Sequence, residues 1–195
     1  MNGKTSPDAR DGRDLAASSP PDAEGVDWPP LFSFRMALPG TNVFREAVAA
    51  AARDALQAGD VLWCDGGERL EMVLVLEPDR PEEEAELAAT LVLHALRDAL
   101  VALLPPQVEI LAASPDRVRV NGGDIARVRH ALAGGGAVAR VVACATINMR
   151  RPAGTEGGED PGTAVLEEEG APGLSPAVLV AETARRFLLL FDGRK

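Results

Sequence analysis

Seven arginines lie between Arg117 and Arg151 (Arg117, Arg119, Arg127, Arg129, Arg140, Arg150 and Arg151), with Asp124 the single acid among them, in a chain of net charge −10. Arginine without lysine suits flat, bidentate recognition of a carboxylate or phosphate. Two glycines, Gly122 and Gly123, follow Asn121 and make a turn between two short apolar runs. If those glycines are the turn, Val120 faces Ile125, Val118 faces Arg127 and Asp116 faces Arg129. Strand alternation then puts Arg127 and Arg129 on the side of Val118 and Val120. Two outcomes stay open: an anion site contacted first by Arg127, Arg129 and Arg119, or a solvated or internally paired basic surface in which Asp116 takes Arg129.

Other chemistry finds little support. His94, His130, Cys64 and Cys144 are scattered over different elements and lack metal-ligand spacing, so no metal site is predicted. No Gly-x-Ser-x-Gly nucleophile motif occurs, and the glycine clusters fit neither phosphate-binding pattern. His94 falls on a helical polar stripe and reads as a solvated helix residue. The expectation is no catalytic residue and no cofactor.

The elements that must position the arginines follow from pattern. Met1 to Pro30 is rich in Asp, Ser, Pro and Gly and reads as a disordered acidic tail; residues 31–195 form one domain. Leu31 to Met36 is a candidate edge strand. Thr41 or Asn42 caps an Ala-rich helix running to Gln57 and stopped by Gly59. Asp60 to Cys64 and Leu70 to Glu77 form a hairpin around Asp65-Gly66-Gly67. Pro81 opens a long helix to Leu104, with Glu82, Glu83 and Glu84 at its positive end. Strands are predicted at Gln107 to Ala112, Arg117 to Val120, Ile125 to Ala133 and, as the longest, Ala137 to Met149. A loop over 151–173 precedes a final helix from Ser175-Pro176 to Phe191.

An acidic surface repels a phosphate backbone and an anionic membrane, so neither nucleic acid nor a membrane surface is expected as a partner. Both cysteines lie within apolar runs and are expected to be buried free thiols in a reducing compartment. The polar N-terminus and the lack of a long apolar run point to a cytosolic protein. Oligomeric state is not legible.

Several segments carry a family likeness. Ser114-Pro115-Asp116, the strand to Val120, Asn121-Gly122-Gly123-Asp124 and the next strand resemble the Trp-Pro-Asn-Asp, strand, Asn-Gly-Lys-Lys, strand hairpin of biotin and lipoate protein ligases. Gly40-Thr41-Asn42 sits where these enzymes carry Ser-Thr-Asn. Ala145-Thr146-Ile147-Asn148-Met149 looks like their Gly-Ile-Asn-Val strand end, and Thr163 to Gly170 like their Ala-Thr-Ser-Leu-x-Glu-x-Gly segment. The likeness runs in order from Leu31 to Asp192, and the front half resembles that of a shorter, uncharacterised ligase-like subgroup. It implies an α/β fold, with a mixed, largely antiparallel sheet flanked by helices.

The same resemblance implies lost chemistry. Asp124 stands at the ligase lysine that contacts the ligand carboxylate and the forming adenylate. Only Asp65-Gly66-Gly67-Glu68-Arg69 occupies the place of the Gly-Arg-Gly-Arg-x-Gly-Arg loop that folds over the adenylate. Arg127 replaces a glycine that lets ligand approach the backbone. The expectation is a noncatalytic or repurposed binding module for an acyl or anionic ligand, or for a biotinyl or lipoyl carrier domain. The alternatives are an active ligase or acyltransferase with an unusual site, and an interaction scaffold without a ligand. Candidate ligand-binding residues are Asp116, Arg119, Asn121, Asp124, Arg127, Arg129 and Asn148.

Overall fold

The computed structural model describes residues 25–113, 115–134, 138–154 and 162–192. The strands are β1 (Ser33–Met36), β2 (Asp60–Asp65), β3 (Arg69–Leu76), β4 (Ile110–Ala113), β5 (Arg117–Val120), β6 (Gly123–Ala133) and β7 (Arg140–Asn148). They form one sheet in the order β1-β2-β3-β7-β6-β5-β4, antiparallel throughout except for the β1–β2 pair. The helices are α1 (Val43–Ala51), α2 (Pro81–Leu103) and α3 (Pro176–Asp192). This is the mixed, largely antiparallel sheet with flanking helices that the resemblance implies. The strand expected to be longest, β7, is exceeded by β6.

The two faces of the sheet are unequally covered. Val61, Trp63, Leu70, Met72, Leu74, Ala143, Ala145 and Ile147 point to α2 and α3, whose Val92, Leu96, Leu100, Leu179 and Phe187 complete the larger core. Leu62, Cys64, Val73, Val75, Val142 and Cys144 point the other way, under Val43, Ala47 and Ala51 of α1. Strands buried on both faces read as continuous apolar runs rather than alternating ones, and β2, the C-terminal half of β3, and β7 do so. Cys64 and Cys144 are free and buried, as expected. Because α1 has only nine residues, it covers one end of its face. The other end carries the charged side chains.

Strands β4 and β7 each begin three residues later than expected, at Ile110 and Arg140, and three further differences bear on the core. Asn42 caps α1, accepting from Arg45 N at 3.0 Å, but the helix stops at Ala51 rather than Gln57. Arg140, its side chain only 4% exposed, donates to Ala51 O at 3.1 Å and to Asp54 at 2.6 Å, and pairs with Glu77 at 3.3 Å. That guanidinium takes a carbonyl at the helix end, and Asp54 turns to a φ of 58° to reach it. At the N-terminus, Val26 and Trp28 already pack on the core, Trp28 against Phe34 with ring centroids 4.3 Å apart. The packed chain thus begins ahead of Leu31, and residues 1–24 lie outside the described residues. Within the 151–173 loop, Ala164, Val165 and Leu166 are buried, while residues 155–161 lie outside the described residues.

Arg140→Ala leaves Asp54 and Glu77 without their cation at the edge of the core. Denaturant unfolding should show a loss of about 2 to 4 kcal/mol, the lower end reflecting the partial solvation of both acids.

Candidate functional site

The β5–β6 hairpin is built differently from the sequence expectation. Its turn is Asn121-Gly122, at φ 48° and 88°, the positive pair that a two-residue hairpin of this handedness needs. Val120 therefore opposes Gly123 and Arg119 opposes Asp124. The ladder then slips: Val118 opposes Ala126 and Arg117 opposes Arg127, which leaves Ile125 as a bulged extra residue. Ile125 and Ala126 are both buried with Val118, Val120 and Val128 in the α2-side core. By simple alternation Asp124 would share the face of Ala126; the bulge re-aims it to the opposite face.

On that face two rows of side chains run across the sheet. Glu71, Thr146, Arg127 and Arg117 are successive cross-strand partners on β3, β7, β6 and β5. Beside them, Arg69 opposes Asn148, and Asp124 opposes Arg119. Two arginines directly opposite, Arg117 and Arg127, would repel. The acids resolve this in an alternating chain. Asp116 accepts from Arg127 Nε at 2.6 Å and lies 3.8 Å from Arg117 Nε; Asp124 accepts from Arg117 Nη1 and, at 2.7 Å, from Arg119 Nε. Arg129 turns to Glu71 at 3.3 Å and lies 4.5 Å above the Phe44 ring of α1. The expected Asp116–Arg129 pair is therefore replaced by Asp116–Arg127, and Arg127 and Arg129 lie opposite to Val118 and Val120. Turn and bulge together cause both changes.

The backbone of Asp124 is pinned. Its N–H donates to Gly162 O at 2.8 Å, and its carbonyl accepts from Ala164 N at 3.0 Å and Asn148 Nδ2 at 3.4 Å. Gly123 permits this approach, since a Cβ there would lie 2.7 Å from the Cβ of Ala164.

β6 and β7 continue past the end of the β4–β5 hairpin, and a cleft of about 1250 Å³ opens there across β6. Asp116, Asp124, Arg127, Arg129 and Asn148 line it, with Arg117, Arg69, Thr146 and Thr163. On the α2 side it continues to Thr90, His94 and His130 over an apolar floor of Leu93, Ala112, Ala126 and Val128. Arg119 joins the set through Asp124. Asn121 does not: its side chain accepts from Glu109 N at 3.1 Å and donates to Glu169 at 2.6 Å, securing the turn. Sequence reading missed Arg69, Glu71, Thr146 and Thr163 as neighbours of the arginines, because only strand register brings them together. No group of three candidate metal ligands occurs among the described residues. No described helix is long and apolar enough to cross a membrane.

The family model for the biotin/lipoate A/B protein ligase family matches residues 28–194. The chain belongs to this family. Among solved structures, a biotin protein ligase-like protein of unknown function from a Silicibacter species is 27% identical, with a TM-score of 0.72 over 87% of this chain and 74% of that one. The apo biotin protein ligase of Aquifex aeolicus is 16% identical, with a TM-score of 0.66 over 84% of this chain and 71% of that one. The same enzyme with biotin and ATP is 15% identical, with a TM-score of 0.63 over 86% and 72%. At these identities the Aquifex likeness shows the fold alone. No curated protein sequence matches. Within the biotin/lipoate ligase fold, the cleft lies where the β5–β6 hairpin, the end of β7 and the segment after Gly162 converge.

Hydrogen bonds from Arg119 first, and from Arg117, hold the Asp124 carboxyl below its ordinary value of 3.8. A depressed pKa means that the contact contributes stability above the ordinary value and loses it as pH falls through the lowered one. A carbon-detected NMR titration should place the Asp124 midpoint below 3.8, and Arg119→Ala should move it upward. A midpoint at or above 3.8 in the unmodified protein would contradict the geometry.

Proposed function

We propose that the chain is a noncatalytic, repurposed member of the biotin/lipoate ligase family, a binding module for a small acyl or anionic ligand or for a carrier domain. The observation that carries this reading is Asp124. At the position where the sequence resembles the ligase lysine, a carboxylate faces the cleft, already bound by two arginines. Adenylate formation requires cations placed on developing negative charge, and an acid opposes it.

The β2–β3 connection supports the same reading. Asp65 to Arg69 closes as a tight turn, with Gly66 N donating to Arg69 O at 2.9 Å and Gly67 N to Asp65 Oδ1 at 2.8 Å. A turn this short does not reach over a bound nucleotide. Arg127, at the position of the ligase glycine, borders the cleft with a side chain held by Asp116 at 2.6 Å, where the ligase has no side chain at all.

A protein partner is favoured by the edge of β6. Beyond Val128, whose N–H donates to Asp116 O at 2.7 Å, β6 pairs with β7 on one side and with no described strand on the other. An open edge offers backbone donors and acceptors to a partner's strand. A carrier domain presenting an extended segment fits that edge, with its modified side chain in the adjoining cleft.

The unmodified protein should form neither biotinyl nor lipoyl adenylate and should not label a carrier domain with ATP present. Asp124→Lys alone should not restore either reaction, because the long loop is still missing and Arg127 remains. Transfer of radiolabelled biotin or lipoate to a carrier domain by the unmodified protein would overturn the noncatalytic reading.

A further inference from the structure

Five arginines and three acids meet on the open sheet face, and they are unequally satisfied. Arg117, Arg119, Arg127 and Arg129 each pair with an acid, whereas Arg69 has no ion pair among the described residues. The face therefore keeps two more positive than negative charges after all pairings. One carboxylate, that of Asp124, is shared between two guanidiniums that stand two residues apart on β5, one on each oxygen. Its side chain is 20% exposed against 45% and 48% for Arg117 and Arg119, and it lines the cleft.

The backbone of Asp124 is fixed on both sides by Gly162, Ala164 and Asn148, so its carboxylate moves only by side-chain rotation. The hairpin does not rely on that carboxylate for its packing. Val118, Val120 and Ile125 are fully buried, and Ala126 nearly so. Removing the acid thus leaves a two-arginine fork on an intact strand.

We propose that the Arg117–Arg119 fork is a binding site for small carboxylic acids, that Asp124 occupies it when no ligand is present, and that an entering carboxylate displaces Asp124. The proposal rests on the binding-module reading and names the chemistry of its ligand. A planar carboxylate matches the fork because the resident group is one, its two oxygens each taking one arginine. Displacing Asp124 moves no net charge out of the face, and the two uncompensated cations favour the incoming anion. The resident carboxylate competes intramolecularly, at a high effective concentration, which keeps the affinity of the unmodified protein low. Asp124 is then a specificity-determining gate in the site.

Butyrate and, separately, inorganic phosphate should be titrated into the full chain at neutral pH and low salt, reading the arginine Nε–H resonances by NMR. Asp124→Ala should bind butyrate at least tenfold more tightly than the unmodified protein, and Arg119→Ala in the Asp124→Ala background should abolish the gain. Should Asp124→Ala fail to fold, Asp124→Asn should still show a gain of at least threefold. A folded Asp124 variant that binds butyrate no better than the unmodified protein would overturn the proposal, as would a gain that survives Arg119→Ala. An equal gain for phosphate would overturn the assignment to carboxylates. The assay contains neither ATP nor a carrier, so its failure leaves the noncatalytic reading standing.

Discussion

The bulge at Ile125 determines which residues share the open face of the sheet. β6 carries Asp124, Ile125, Ala126, Arg127 and Val128 in succession, and no regular strand can bury Ile125, Ala126 and Val128 while exposing both Asp124 and Arg127 on one side. One extra residue in the ladder reconciles them. Ile125 and Ala126 go together into the α2-side core, Asp124 turns to meet Arg117 and Arg119, and Arg127 stays on the same face to meet Asp116. Burial of an isoleucine, ~2 kcal/mol by area, sets the slip, and the ion pairs are arranged by it.

The uncovered end of that face follows from the shortness of α1. Where α1 lies, the sheet presents Val73, Val75, Val142 and Cys144. Beyond its N-terminal Phe44 the same strands present Glu71, Thr146, Asn148 and the arginines. Phe44 marks the border, its ring against Arg129. An exposed polar face on an antiparallel sheet can be solvated at little cost. What distinguishes this one is that like charges face each other across strands and are bridged by two aspartates, leaving the cleft wall polar, positive by two charges and rigid at the backbone.

Much of the fold was legible. Helix caps and starts at Asn42 and Pro81, the Asp65-Gly66-Gly67 turn and the Arg117 to Val120 strand come from local signals that the tertiary structure leaves in place. The misses outside the site come from long-range contact. Arg140 ends α1 from across the molecule, and nothing near Gln57 signals it. Trp28 is drawn onto the core by Phe34 despite its polar surroundings. In the site, the arginines and Asp124 stood out by composition, but their partners depended on one turn position and one bulge. A two-residue turn at Asn121-Gly122 instead of Gly122-Gly123, followed by a one-residue slip, exchanges Asp116–Arg129 for Asp116–Arg127. Asn121 looked like a site residue by its place in the motif and is a turn residue by its φ and its bonds to Glu109 and Glu169.

Asp124 facing the arginines of β5 is the contact on which the site depends. A double-mutant cycle on Arg119 and Asp124, each changed to Ala and both together, followed by chemical denaturation at low salt, measures that contact directly. The structure predicts a favourable coupling of about 0.5 to 1 kcal/mol, modest because both guanidiniums are partly solvated. Strict additivity of the two substitutions, within about 0.3 kcal/mol, would mean that Asp124 does not hold Arg119 in solution and would contradict the account.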